Sequence, residues 1–190
     1  MNFLGKEVSI VLDPKDVNRK ASYYTIGIVL LSTVVYTWFW GLEFTITLMS
    51  LLKFIGFYFL LIFLHELLHG VGFLWFGKVK LTDLKFGFIW KYMVCYAHCK
   101  VPISMRAFRM ALLLPVLLTG FVPLIIGLVV GNGMLVAIST LLVGGGAGDW
   151  LIYRSIRSFS KDTLVKDHKD NIGCTVYFCN EMNENKNINT

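Results

Sequence analysis

Charged side chains are scarce in this chain. Lys, Arg, Asp and Glu make up 16% of its 190 residues, whereas about 25% is usual in soluble globular domains. Hydrophobic residues make up 56%, and the mean hydropathy is +0.65. A domain of this length has too little interior to bury so much apolar surface. The composition therefore argues against an ordinary soluble domain and indicates that the lipid bilayer is a partner.

Cysteine is also sparse, with four residues at positions 95, 99, 174 and 179. Their spacing is not the C-x-x-C pairing of a zinc ribbon, so we expect reduced thiols. No Gly-Lys-Ser or Gly-Lys-Thr follows the glycines at 144–148, which argues against a phosphate-binding loop. The net charge of +6 does not indicate nucleic acid, because the basic residues are spread between apolar runs instead of forming one patch.

Four apolar runs reach the length of about 20 residues that a helix needs to cross a bilayer. They cover residues 22–41, 45–76, 107–130 and 134–153, approximately. We therefore predict an all-α membrane protein with about four transmembrane helices, forming a single domain over 1–190. The first run is too long for the core of a signal peptide and lacks a cleavage site, so we expect it to remain as an anchor.

The segment between the second and third runs has a different pattern. From residue 85 to 101, apolar and aromatic side chains recur at every second position, which is typical of a strand. They are Phe86, Phe88, Trp90, Tyr92, Val94 and Tyr96. Two interpretations remain open: a short membrane-associated β-hairpin, or an extended aromatic loop at the level of the lipid headgroups.

Lysine and arginine are concentrated in three segments: before the first run, between the second and third runs, and after the fourth. Because cytoplasmic loops carry an excess of these residues, four spans with both termini in the cytoplasm satisfy the pattern. We predict a multi-pass protein of the cell membrane with a cytoplasmic tail over 154–190. The tail ends in an Asn-rich stretch at 183–190, which we expect to be disordered in part.

The second run contains the motif His65-Glu66-Leu67-Leu68-His69. On a helix, H-E-x-x-H places two imidazoles one turn apart on the same face, where both can bind one zinc ion. Ionisable residues in the middle of a membrane helix cost about 2.5–3.5 kcal/mol each on insertion scales, so they usually have a function. The motif therefore predicts a Zn²⁺ site with His65 and His69 as metal ligands.

A catalytic zinc ion takes a third protein ligand and leaves one position for water. Asp149 is the best candidate, because it is the only acid in the fourth run and lies at a similar predicted depth to the two histidines. His98 and His168 remain as competitors. Gly144 and Gly148 have the small-xxx-small spacing that lets membrane helices approach closely. Glu66 is then the predicted catalytic residue, a general base that activates water at the zinc ion.

These residues carry a family resemblance. His-Glu-Leu-Leu-His-Gly in one run and Gly-Ala-Gly-Asp in a later run resemble the small bacterial membrane proteins of the zincin peptidase type, which are similar in plan to site-two intramembrane proteases. The resemblance implies the same assignments: His65, His69 and Asp149 as ligands and Glu66 as the catalytic glutamate. One departure is that the third run lacks the Asn-Pro motif of site-two proteases.

The function predicted from the sequence is a zinc-dependent metallopeptidase that hydrolyses peptide bonds in or near the membrane. Its expected substrates are membrane or membrane-proximal proteins. Two alternatives belong to other classes. The histidines and acids could bind or transport a metal, or the chain could be a membrane adaptor without catalysis. The set of His65, Glu66, His69 and Asp149 favours the enzyme, because an adaptor has no use for the complete set.

Overall fold

The computed structural model describes residues 7–41, 46–89, 94–161, 163–168 and 171–178. The described chain is mostly helical, as predicted. Its helices are α1 (Pro14–Trp40), α2 (Leu48–Gly77), α3 (Met105–Pro115), α4 (Val122–Val130), α5 (Gly133–Gly145) and α6 (Ala147–Ile156). Its strands are β1 (Glu7–Val11), β2 (Leu84–Ile89), β3 (Val94–Cys99), β4 (Ile103–Ser104), β5 (Leu164–Asp167) and β6 (Gly173–Tyr177).

Four helical stretches of the described chain are long and apolar enough to cross a membrane, in agreement with the predicted number. They are α1, α2, the run from α3 through α4 (Met105–Val130), and the run from α5 through α6 (Gly133–Ile156). Large apolar side chains on their outer surfaces are exposed, for example Trp38 at 83% and Val129 at 70%. Such an exposed apolar surface is what a lipid-facing helix requires.

Local sequence signals fix the ends of the first two helices. The side chain of Asp13 accepts a hydrogen bond from the backbone N–H of Lys15, and Pro14 occupies the first helical turn, where its missing N–H is not needed. Thr47 and Ser50 form a reciprocal capping box at the start of α2. Helix α1 thus begins several residues before the apolar run, because its first turns are polar and well capped.

The last two helical stretches are interrupted. A π-helical turn, Val116–Phe121, joins α3 to α4 directly after Pro115. Proline lacks the N–H that an α-helix needs, so a local change in helical pitch at this point is expected. In the final stretch, α5 ends at Gly145 and α6 begins at Ala147, with a turn at Gly146. Both interruptions lie next to residues of the candidate site.

The predicted strand segment is an antiparallel pair of β2 and β3, in which Phe86 lies opposite Ala97. Its period-two pattern thus reports strands, while its position relative to a membrane stays a prediction. The ring of Phe86 lies against Gly70, so the pair covers one side of α2. Trp90 and Tyr92, named in the prediction, fall outside the described residues.

A four-stranded sheet in the order β1-β6-β5-β4 corrects the all-α prediction. It joins the segment before α1, the segment between α2 and α3, and the segment after α6. The tail that was predicted to be a simple extension supplies β5 and β6, because these strands find partners far away in the sequence. Residues 179–190, including Cys179 and the Asn-rich end, lie outside the described part of the chain.

The core lies where this sheet meets the ends of α2 and α3. Phe73 and Phe108 stack with ring centroids 6.1 Å apart, and the fully buried Val165 and Val176 cover them from the sheet. Arg109 of α3 donates to the backbone carbonyls of Ile156, the last residue of α6, and of Phe159, three residues further on, at 2.5 and 2.8 Å. Because these carbonyls lack helical partners, this contact fixes α6 against α3.

Candidate metal centre

Helix α2 presents its two motif histidines on one face. The ring centroids of His65 and His69 lie 5.1 Å apart, and both residues are buried, at 8% and 7% exposed. Potential ligand atoms of His65, Glu66 and His69 all lie within 4.8 Å of one another, which is close enough for a group that could hold a metal ion. The helical spacing of four residues produces this convergence.

Asp149, in the first turn of α6, lies directly opposite these two rings. Its Oδ2 is 3.2 Å from Nε2 of His65, and its Oδ1 is 3.4 Å from Nε2 of His69. One carboxylate thus spans both imidazoles. The turn at Gly146 places Asp149 in the first turn of α6, and the contact from Arg109 lies at the other end of this helix. The structure therefore brings together all four residues predicted for the site.

The second ring nitrogen of each histidine has its own partner. Nδ1 of His69 lies 3.1 Å from the carbonyl oxygen of Ala111 in α3. Nδ1 of His65 lies 3.1 Å from Oγ1 of Thr119, and the Thr119 hydroxyl donates to the carbonyl of Pro115 at 2.8 Å. Because a carbonyl only accepts and the threonine proton is already committed, each Nδ1 must be the N–H donor. Each neutral ring then carries its lone pair on Nε2.

The chemistry of these ligand atoms decides whether the residues suit zinc. Two Nε2 lone pairs and one carboxylate meet at 3.2–3.4 Å, and all of these atoms are hydrogen-bond acceptors in this tautomer. Acceptors that face each other in a buried setting are unfavourable unless a cation, either a proton or a metal ion, lies among them. Two imidazoles and one carboxylate are also the ligand set of many catalytic zinc sites. Hydrogen bonds that orient the far nitrogens, as Ala111 and Thr119 do, are typical of metal-binding histidines. The residues fit a zinc ion.

Glu66 lies beside this group and is oriented from outside the helix. The backbone N–H of Ala97 in β3 lies close to its carboxylate. Alternate N–H groups of an antiparallel strand point away from its partner, so the outer edge of β3 is turned toward Glu66. A cavity of about 470 Å³ borders His65, Glu66 and Asp149, which leaves room for a ligand next to the glutamate.

The competing histidines lie elsewhere. Nδ1 of His98 is 2.8 Å from Oδ2 of Asp167 in β5, and Nε2 of His168 is 3.0 Å from Oγ of Ser9 in β1. Burial raises the pKa of Asp167 above its ordinary value, although the hydrogen bond from His98 offsets part of this effect. Burial also raises the pKa of the Cys174 thiol to about 12. His98 and Asp167 thus link the two-stranded sheet to the four-stranded sheet, in a polar group separate from the candidate metal centre.

Comparison with known proteins gives one family. Residues 58–164 match the family described as "Putative zincin peptidase", and this match covers more than half of the chain. The chain belongs to this family. The zincin peptidase match includes His65, Glu66, His69 and Asp149 and ends at the start of β5. No curated protein and no solved structure gives a significant match.

Sequence reasoning missed the residues that orient the site. Thr119 had a detectable signal, since it is a hydroxyl-bearing residue in an otherwise apolar run next to Pro115. Ala111 and Ala97 had none, because they contribute backbone groups whose role depends only on packing. Asp167, the partner of His98, was also not predicted, since the two residues are 69 positions apart.

Proposed function

We propose that this member of the zincin peptidase family is a membrane-embedded zinc metallopeptidase that cleaves membrane or membrane-proximal proteins. The observation that carries the proposal is the convergence of the Nε2 atoms of two imidazoles and the Asp149 carboxylate, with Glu66 beside them. His65, His69 and Asp149 would hold the ion. Zinc, when bound, supplies a Lewis acid that polarises the scissile carbonyl and makes water a nucleophile near neutral pH.

The residues of the chain supply the remaining steps. Glu66 takes a proton from the attacking water and delivers it to the leaving amine. The backbone N–H of Ala97, close to the carboxylate, is available to orient the glutamate. Thr119 and Ala111 keep the two rings in a single tautomer and orientation. Groups held in position before the reaction lower the barrier because they need little reorganisation.

We further propose that the sheet and both termini lie in the cytoplasm. The four-stranded sheet combines the segments before α1, between α2 and α3, and after α6, so these three segments share one side of the helices. They are also the segments rich in Lys and Arg, which agrees with the excess of positive charge in cytoplasmic loops.

The test combines zinc content with cleavage. Detergent-purified wild type and the variants Glu66→Gln, His69→Ala and Glu7→Gln are analysed for zinc, then reconstituted with single-span peptides and searched for new peptide ends by mass spectrometry. We expect about one zinc per chain in wild type, Glu66→Gln and Glu7→Gln, and little in His69→Ala. Cleavage should occur only in wild type and in Glu7→Gln, the control at an exposed glutamate of β1.

The other outcomes separate the alternatives. Folded wild type that binds no zinc even after reconstitution with the metal would contradict the enzyme and favour the adaptor. Zinc binding with equal cleavage by wild type and Glu66→Gln would contradict the proposed role of Glu66 as general base. Zinc binding without cleavage, together with zinc movement across proteoliposomes, would favour transport.

A further inference from the structure

The cavity beside Glu66 lies between two helical faces. Its volume is about 470 Å³. At one end are His65, Glu66 and Asp149. The rest of its wall is mainly apolar and comes from one face of α2 and one face of α5, with Tyr58, Phe59, Ile62, Leu141 and Leu142. The polar end matches the proposed chemistry, but the apolar part has no role in holding a metal or moving a proton.

The glycines of the α5–α6 junction fall into two kinds. A Cβ atom added to Gly144 would collide with Thr25 of α1, and one added to Gly146 would collide with Val116. Close helix packing therefore explains these two glycines. A Cβ atom added to Gly145 or Gly148 would meet no atom within 4 Å. The expected packing role thus holds for Gly144 and not for Gly148.

Gly145 and Gly148 line the cavity, as Gly146 also does. Glycine within a helix destabilises it by about 0.5–1 kcal/mol relative to alanine, so two glycines with free space above them call for another reason. They lie on either side of the turn at Gly146 and border the same cavity as Glu66. Leaving out both side chains keeps open the part of the cavity next to the proposed metal site.

We propose that this cavity is a substrate subsite that takes a large apolar side chain adjacent to the scissile bond, and that Gly145 and Gly148 keep it open. The inference rests on the proposed peptidase function and names a substrate feature. Successive Cα atoms are only about 3.8 Å apart, so a peptide bond at Glu66 places a neighbouring side chain within the cavity. The aromatic and aliphatic wall then selects leucine, isoleucine, methionine or phenylalanine over small or charged residues.

The test uses two hydroxamates that bind zinc. One is acetohydroxamate, which has no side chain, and the other is a peptide hydroxamate with a leucine side chain next to the metal-binding group. Binding is measured by titration to zinc-loaded wild type, Gly145→Leu, Gly148→Leu and Gly56→Leu. Gly56 is the matched control, because it is an exposed helical glycine of α2 whose added Cβ also meets no atom within 4 Å and which lies outside the cavity lining.

We expect the leucine hydroxamate to bind wild type and Gly56→Leu equally well and to bind Gly148→Leu and Gly145→Leu at least ten-fold more weakly. The size of this effect follows from the roughly 10–200-fold that a few methylenes contribute in an apolar pocket. Acetohydroxamate should bind all four proteins within about two-fold, and all four should hold equal zinc, which shows that the centre is intact.

Three results would overturn the subsite. Equal binding of the leucine hydroxamate by all variants would show that the cavity takes no side chain. Loss of acetohydroxamate or of zinc in Gly145→Leu and Gly148→Leu, but not in Gly56→Leu, would make the two glycines structural. No preference of wild type for the leucine compound would leave the proposed peptidase standing without this subsite, whereas a wild type without zinc would remove both.

Discussion

Histidine lies next to aspartate in two regions, among the helices and between strands β3 and β5. The aspartates contact different nitrogens of the imidazole rings. In the helices, Asp149 faces Nε2 of His65 and His69 at 3.2 and 3.4 Å, while each Nδ1 already donates elsewhere. Between the two sheets, Asp167 of β5 faces Nδ1 of His98 of β3 at 2.8 Å. The shorter contact has the length of an ordinary charge-assisted hydrogen bond, whereas the two longer contacts do not.

The comparison shows that the partner of one ring nitrogen determines what the other nitrogen can bind. Thr119 and Ala111 accept hydrogen bonds from Nδ1 of the helical pair. In the neutral rings the carboxylate therefore faces lone pairs, which a proton or a metal ion can bridge. Among the described residues, no acceptor other than Asp167 lies within hydrogen-bonding distance of His98. A proton on Nδ1 of His98 therefore satisfies this contact without a metal ion. Similar residues thus form a candidate metal centre in one region and a structural contact in the other.

The largest expected effect contrasts the two aspartates. Asp149→Ala should reduce zinc affinity at least 100-fold, because a ligand is lost and two buried imidazoles are left facing each other. Asp167→Ala should leave zinc affinity within about two-fold of wild type. Competition with a chelating dye on the purified proteins measures both. If Asp167→Ala released zinc and Asp149→Ala retained it, the metal site would lie at Asp167 instead of Asp149.

A smaller effect is expected from the hydroxyl that orients His65. Thr119→Val keeps the shape of the side chain but removes the acceptor for Nδ1, so zinc affinity should fall about 10–100-fold. Thr119→Ser should restore most of it. Thr140→Val is the matched control, since Thr140 is buried and donates to Ser32 of α1 at 3.0 Å, away from the site. Equal affinities in Thr119→Val and Thr119→Ser would show that the contact has no orienting role.

The smallest effect concerns pH and the sheet. Burial raises the pKa of Asp167, so the folded state holds the proton more tightly than the unfolded chain, whose value is about 3.9. The contribution of Asp167 to stability is therefore greatest at low pH and is lost as pH rises through the raised value. The free energy of unfolding of wild type, relative to that of Asp167→Asn, should therefore fall as pH rises.

Unfolding of the two proteins in detergent from about pH 4 to pH 7, around the unfolded-chain value, provides the measurement. His168 and Lys166 are present in both proteins, so subtraction leaves the titration of Asp167 together with its partner His98. If wild type became more stable relative to Asp167→Asn as pH rose, His98 would outweigh burial and the direction given for the pKa of Asp167 would be wrong.

Signals that are local in sequence were readable without the structure. The four apolar runs, the period-two segment of β2 and β3 and the H-E-x-x-H spacing each depend on neighbouring residues. Asp149 required one more step, because its partnership with His65 and His69 was inferred from its predicted depth in the membrane. The structure places it opposite both rings, as that reasoning required.

Signals that depend on distant pairing were not readable. Strands β1 and β6 have only five residues each, and their pairing joins Glu7 to Tyr177 across nearly the whole chain. The sequence of β1 alternates Val8 and Ile10 with polar residues, but a pattern this short does not identify a strand by itself. The backbone acceptor at Ala111 leaves no trace in the choice of side chain.

The pairing of β1 with β6 has a consequence for biosynthesis. The ribosome makes β1 before any of the four long helical stretches, but its neighbour β6 is made after all of them. Strand β1 therefore lacks its partner until β6 has been synthesised. Closure of the sheet thus marks the completion of assembly, and an arrest at any earlier stage leaves an exposed strand edge, a feature that favours aggregation and recognition by quality control.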